Sequence, residues 1–213
     1  MNDRAEVIKV IVVGDGAVGK TSIVRRFTTE KFEKTYFPTV GANFYARYAL
    51  VDNKRIVLQI WDLAGQPRFN EVTQLFFRGA RGVVYVFDRT RPITLKNLEN
   101  WFNRIYNKIG KVPSVVAGNK TDLVRSTNEY DDLAKRFSDI IGAQYFLTSA
   151  KEDINIEQLF IALIKSMFQT EKIQLLYLEK KTTKTEVYPI KFDMFGNIEN
   201  APSSYRSFFL DEE

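Results

Sequence analysis

The chain has no cysteine and no histidine in its 213 residues. Without cysteine there is no disulfide, thiolate metal ligand, thiol nucleophile or S-acyl anchor. Without histidine the commonest general base is missing. Whatever chemistry occurs must use carboxylates, amides, hydroxyls, lysine or a bound metal. No apolar run approaches the roughly 20 residues of a membrane span. The N-terminus, Met1-Asn2-Asp3-Arg4, has no signal-peptide apolar region, so a cytoplasmic protein without a detectable lipid anchor is expected. Large blocks of one charge are also missing. The net charge is +5 and the pI about 9.2, yet the basic residues are scattered, with pairs such as Arg25-Arg26 and Lys180-Lys181 as the longest runs. That pattern reads as a solvated surface and not as a nucleic-acid interface. Internal repeats and low-complexity tracts are absent as well.

What is present is an ordinary globular composition, 45% hydrophobic and 27% charged, in a chain long enough for one well-buried domain and an appendage. Short Val/Ile-rich runs at Val7–Val13, Val57–Trp61, Gly82–Phe87 and Ser114–Ala117 suit strands buried on both faces of a parallel sheet, and Gln144–Leu147 adds another. Helical patterns lie between them at Lys20–Phe27, Leu95–Ile109, Tyr130–Ile141 and Ile156–Met167. Asn43–Val51 and Arg55–Ile60, joined through Asp52-Asn53, read as one antiparallel hairpin. The expectation is an α/β fold with helices on both faces and ligands at the carboxyl ends of the strands.

The first strand ends in GDGAVGKT, Gly14 to Thr21, which fits G-x-x-x-x-G-K-S/T with a strand before it and a helix after it. Glycines let backbone N–H groups wrap a phosphate chain, the helix N-terminus favours negative charge, Lys20 reaches the terminal phosphates and Thr21 offers a hydroxyl to magnesium. A chance glycine-rich turn is the competing explanation, and the flanking elements argue against it. The motif alone does not choose between ATP and GTP. NKTD, Asn119 to Asp122, makes the choice: a guanine edge presents N1–H and a 2-amino group side by side, a pair that the Asp122 carboxylate can accept and adenine lacks. TSAK, Thr148 to Lys151, at another strand end, places backbone N–H groups for the guanine carbonyl.

With these motifs the chain resembles the Ras superfamily of small GTPases, most closely the Rab family, over roughly residues 5 to 170. The matching strings are GDGAVGKT, PTVG at Pro38 to Gly41, DLAGQ at Asp62 to Gln66, NKTD and TSAK. QIWDLAGQPRF and FFRGARG, Phe76 to Gly82, carry the Rab likeness. The resemblance implies a P-loop small G domain, a six-stranded mostly parallel sheet with one antiparallel hairpin strand. Residues 5–171 would form that domain, and residues 172–213 a helix continuation and an aromatic-rich tail.

It also implies roles for individual residues. GTP or GDP would be held by Asp15, Gly16, Ala17, Val18, Gly19, Lys20, Thr21 and Ser22 at the phosphates. Phe32, Tyr36, Thr39 and Gly65 would contribute from the switch loops, and Asn119, Lys120, Asp122, Ser149, Ala150 and Lys151 around the base. Phe32 would stack edge-on against guanine, with a core aromatic as the alternative. Thr21 and Thr39 would coordinate Mg²⁺, and Asp62 would do so through a water. Gln66, with Lys20, would be catalytic: the glutamine orients the water that attacks the terminal phosphate. Trp61 is expected in the core or on a partner-facing surface and not at the nucleotide. No arginine lies between Phe27 and Gly41, so a charge-stabilising arginine is expected in trans from an activating protein. An exchange factor and effectors are the other expected partners of a protein that is monomeric or partner-bound.

Two departures stand out. Rab-like chains usually end in prenylated cysteines, whereas this tail carries 6 Lys/Arg against 7 Asp/Glu from Lys172 onward and is rich in aromatics from Tyr188 to Phe209. Such a tail is either free or docked on the domain or a partner. Pro67 stands where relatives usually have glutamate, which keeps open a guanine-nucleotide-binding scaffold with little hydrolysis beside the switch reading. An ATP-using P-loop enzyme is disfavoured by Asp122.

Membrane contact is expected only through a partner. Neutral liposomes should therefore not pellet the protein in either nucleotide state, and direct GTP-dependent pelleting would refute this.

Overall fold

The computed structural model describes residues 5–29, 32, 39, 41–67, 70–124, 129–176 and 188–190. Strand β1 (Glu6–Val13) leads through a loop into helix α1 (Lys20–Thr29). β2 (Ala42–Val51) and β3 (Lys54–Leu63) form the expected hairpin, and α2 (Asn70–Leu75) follows. Then come β4 (Gly82–Asp88), α3 (Ile93–Lys96), α4 (Leu98–Ile109), β5 (Ser114–Asn119), α5 (Glu129–Ile141), β6 (Gln144–Leu147) and α6 (Ile156–Phe168). Two short strands close the described chain, β7 (Ile173–Leu176) and β8 (Tyr188–Ile190).

The strands form one sheet in the order β6-β5-β4-β1-β3-β2-β7, with β8 also on β2. β6, β5, β4, β1 and β3 are mutually parallel and β2 is antiparallel to β3. The continuous apolar runs in the sequence have a direct cause: successive side chains point to opposite faces, and both faces are covered. Ile8, Val10 and Val12 of β1 pack under α1 and α6, while Ile11 and Val13 pack under α4, α5 and the turn at Phe76-Phe77 after α2. Phe27 of α1 stacks on Phe160 of α6 with ring centroids 3.9 Å apart, locking two helices on one face. Burying a ring of this kind contributes about 1.5–3 kcal/mol. The hairpin turns on Asp52 and Asn53, at φ 49° and 64°, the paired left-handed residues of a type I′ connection.

The structure corrects three expectations. Among the described residues the sheet has eight strands where six were expected. Among the described residues the expected helical continuation from Lys172 is not formed: α6 ends at Phe168, Gln169 turns with φ 53°, and Ile173–Leu176 is a strand. The physical reason is the outer edge of β2, a row of backbone groups that a following segment can satisfy. Finally, the sequence of Arg68–Phe77 reads as a helix after the DLAGQ loop, whereas the structure ends that helix, described from Asn70, at Leu75; Arg68 and Phe69 lie outside the described residues.

β7 pairs antiparallel with Tyr48–Val51, and β8 pairs antiparallel with Ala42–Phe44. Both run in the same direction, so the C-terminal segment travels along one edge of β2 toward Gly41. Pro189, which cannot donate to a ladder, sits opposite Asn43 on this outermost strand, a position that tolerates proline. Tail aromatics beyond Ile190, such as Phe192, Phe195, Tyr205, Phe208 and Phe209, lie outside the described residues. Removing residues 182–213 should speed amide exchange across Ala42–Phe44 and leave Val83–Phe87 protected. If the pairing contributes about 1 kcal/mol, the melting temperature falls by about 2–4 °C. Unchanged exchange at Ala42–Phe44 would show that β8 protects nothing.

Candidate functional site

Because β1, β3, β4, β5 and β6 are parallel, the five loops that leave their carboxyl ends emerge on one edge of the sheet. β1 lies between β3 and β4, so the chain diverges to either side of it, the position at which open α/β sheets bind ligands.

The loop Gly14–Gly19 bends under tight backbone constraint. Gly14 has φ 139°, and a Cβ there would sit 2.0 Å from the Val86 carbonyl oxygen, so only glycine fits. Lys20, buried, donates from Nζ to the carbonyls of Gly14 (2.9 Å) and Asp15 (2.8 Å). Burial pushes its ammonium down to about 8, against the opposing charges of Asp62 and Asp15. The Asp15 carboxylate accepts from Asn97 Nδ2 (2.7 Å) and Trp101 Nε1 (3.2 Å), which ties the loop to the start of α4. Val18 is buried, and its carbonyl accepts Asn119 Nδ2 at 2.9 Å. Ser22 follows in the first turn of α1, half-buried.

Three oxygens from separate elements converge beside Lys20. Thr21 Oγ1 donates to Asp62 Oδ2 at 2.5 Å, lies 3.1 Å from Thr39 Oγ1, and Thr39 Oγ1 is 3.5 Å from the same carboxylate oxygen. Asp62 is fully buried at the end of β3, and its Oδ1 has no hydrogen-bond partner among the described residues. Burial pushes this carboxyl above the usual range, opposed by the Lys20 charge and by the side chains of Thr21, Asn43 and Thr39. Among the described residues no group of three or more acidic, histidine or cysteine side chains is poised to hold a metal. Any cation here would lean on hydroxyls, one carboxylate and ligand oxygens. Next along the chain, Gly65 approaches so closely that a Cβ would stand 2.3 Å from the Gly14 oxygen and 2.4 Å from Lys20 Nζ. Gln66 is thereby laid over the phosphate loop, its Cγ 3.6 Å from where a Gly16 Cβ would be.

The third cluster joins β5 and β6. Asp122 accepts from Ser149 Oγ at 2.6 Å, and Lys151 Nζ lies 3.9 Å from its other oxygen. Asn119 Oδ1 accepts the Ala150 N–H and the Thr148 hydroxyl, each at 3.3 Å. Lys120 takes a left-handed backbone, φ 66°, and its Nζ meets Asp88 Oδ2 at 2.7 Å.

The structure thus brings together Asp15–Ser22, Thr39, Asp62, Gly65, Gln66, Asn119, Lys120, Asp122 and Ser149–Lys151. Tyr36 lies outside the described residues. Phe32 is half-buried against the core that contains Phe27 and Phe160. Trp61 is buried, edge-on to Phe44 at 4.2 Å with Lys9 Nζ 3.7 Å above its ring, which bears out the core assignment. Sequence reasoning missed Asp88, Arg91, Asn97 and Trp101, which frame the loops. The available signal was position, since Asp88 ends β4 on the same edge as the recognised motifs. Burial raises the Asp88 carboxyl, yet bonds from Lys120, Thr90 and Arg91 outweigh it and hold the group below its ordinary value.

These features define a P-loop nucleotide-type α/β domain, and comparison with known proteins narrows the class. The Ras family matches residues 9–169. GTP-binding protein yptV5 of Volvox carteri is 37% identical over 182 residues, 82% of this chain and 89% of the relative. Ras-related protein RABE1e of Arabidopsis thaliana is 34% identical over 192 residues, 89% and 85% of the two chains. Ras-related protein RABD2a, also of Arabidopsis thaliana, is 37% identical over 160 residues, 75% and 79%. The chain belongs to the Ras family as a Rab-like small GTPase, a GTP hydrolase. No helix among the described residues is long and apolar enough to cross a membrane.

Asp122→Asn should weaken guanine-nucleotide binding and shift preference toward xanthine nucleotides, because the amide donates where the carboxylate accepted two N–H groups. Competition of GDP and XDP against a fluorescent nucleotide measures this; retained GDP affinity with no XDP gain would remove Asp122 from base recognition.

Proposed function

We propose that this protein is a nucleotide-driven switch that hydrolyses GTP slowly, with residues 5–171 as the domain that handles the nucleotide. In this reading Asp15–Ser22 wrap the phosphates and Asn119, Lys120, Asp122, Ser149, Ala150 and Lys151 recognise guanine, with Phe32 and Tyr36 beside the nucleotide. The observation that carries it is the close approach of Gly65 to Gly14 and Lys20, which lays Gln66 over the side-chain-free Gly16.

Thr21, Thr39 and, through a water, Asp62 would hold Mg²⁺. The fit rests on hard oxygen donors converging from three elements and on the buried, unpartnered Asp62 Oδ1. When bound, the ion supplies positive charge against the phosphate oxygens as the terminal phosphoryl group departs. Lys20 brings an ammonium with little solvent to screen it, so its attraction to phosphate is strong. Gln66 accepts from and donates to the attacking water through its amide and fixes the direction of attack. Gly65 N–H and the Thr39 hydroxyl are the groups that a γ-phosphate would draw in, so its loss releases both loops and alters the surface offered to effectors. With no arginine in the first switch segment, the site is slow alone and is accelerated by an activating protein in trans. An exchange factor reloads it. The Rab likeness points to vesicle trafficking, with membranes reached through partners.

A second reading, a guanine-nucleotide scaffold with little hydrolysis, is favoured by Pro67. A proline there disfavours the α region for Gln66 and narrows the orientations that the glutamine samples. Single-turnover GTP hydrolysis decides between the readings. Gln66→Leu should slow the reaction, and Pro67→Glu should speed it by about tenfold or less, roughly 1.4 kcal/mol of barrier. Equal rates for Gln66→Leu and wild type would favour the scaffold.

A further inference from the structure

Between the guanine cluster and the phosphate loop lies a connection that neither motif contains. The Asp88 side chain, 1% exposed, closes β4 and is saturated with donors. Thr90 supplies its N–H (2.9 Å) and hydroxyl (2.7 Å) to Oδ1, and Lys120 Nζ (2.7 Å) and Arg91 Nε (2.9 Å) both reach Oδ2. The other end of the Arg91 guanidinium donates from Nη2 to the Gly16 carbonyl at 2.9 Å. One rigid fork therefore ties the carboxylate that steadies the base-side lysine to a peptide of the phosphate loop. The segment that carries it is itself fixed: the Arg91 N–H bonds the Asp88 carbonyl at 2.9 Å, and the Asp88 N–H bonds Thr94 Oγ1 at 2.9 Å.

The contacted peptide is the one that most needs holding. Ala17, the residue after Gly16, has φ 61°, a left-handed conformation that costs an alanine free energy. The Gly16–Ala17 peptide is trans, so its N–H points opposite to its carbonyl. A donor clamped on the Gly16 oxygen therefore turns the Ala17 N–H away from Arg91.

We propose that Arg91 is a positioning residue for the phosphate loop: braced on Asp88, it holds the Gly16 carbonyl so that the Ala17 N–H is aimed in advance at a nucleotide phosphate. It acts on the loop and not on the base, whereas Asp88, through Lys120, acts on both. The inference rests on the reading of this site as a guanine-nucleotide site.

The test measures GDP and guanosine in competition with fluorescent GDP, using the full chain, with thermal melts to establish folding. Arg91 is 42% exposed, so its removal leaves the core intact. Arg91→Ala should weaken GDP about tenfold and guanosine less than twofold. Arg91→Lys, which can bond Asp88 or Gly16 but not both, should recover only part of the loss. Asp88→Asn should weaken both ligands. Equal losses of GDP and guanosine in Arg91→Ala, unchanged GDP affinity, or full rescue by lysine would overturn the proposal. Failure of the wild-type chain to bind GDP would overturn the reading of the site as well, and is a distinguishable result.

Discussion

β1 hydrogen-bonds to β3 on one side and to β4 on the other, both parallel to it, and apart from Lys9 every residue from Ile8 to Val13 is buried. That double pairing is the constraint from which the site follows. It directs the loop after β1 into the crevice between the loops after β3 and β4. There Gly14 meets Val86, Gly65 meets Lys20, and Asp62 meets Thr21. A one-residue slip of β1 would exchange Val10 and Val12 with Ile11 and Val13 between two differently shaped cores and turn Thr21 away from Asp62.

Electrostatics are set by the same burial. Lys20 and Asp62 are both withdrawn from water, and each would prefer neutrality alone; their proximity and the surrounding hydroxyls and carbonyls keep them together. A bound polyanion with its cation would relieve both penalties, which is the physical basis of the proposed nucleotide response. Asp88 shows the opposite balance: it too is buried, but cationic and hydroxyl donors surround it, and it serves as a fixed anchor.

The C-terminal segment adds a feature outside this nucleotide logic. Its described strands lie along β2, whose first residues, Ala42–Phe44, follow Thr39 and Gly41 in the chain and whose Phe44 packs on Trp61. An edge that would otherwise present unpaired backbone groups is covered by the chain itself.

The sequence by itself determined the glycine-rich loop after β1, the NKTD and TSAK loops at the ends of β5 and β6, and the two-residue hairpin. In each of these the chemistry resides in contiguous residues whose backbone preferences are local: glycines at Gly14 and Gly19, and left-handed Asp52 and Asn53. It also determined which runs are strands buried on both faces, because uninterrupted Val and Ile leave no other place for them. Tertiary structure alone decided that Asp88 and Arg91 join two loops 32 and 75 residues away in sequence, that Asn97 and Trp101 clasp Asp15, and that the chain beyond Phe168 leaves the helix to pair with β2. Those outcomes depend on partners distant in the chain: a carboxylate becomes a hub only when donors are folded around it, and a short apolar segment becomes a strand only when an unpaired edge lies within reach.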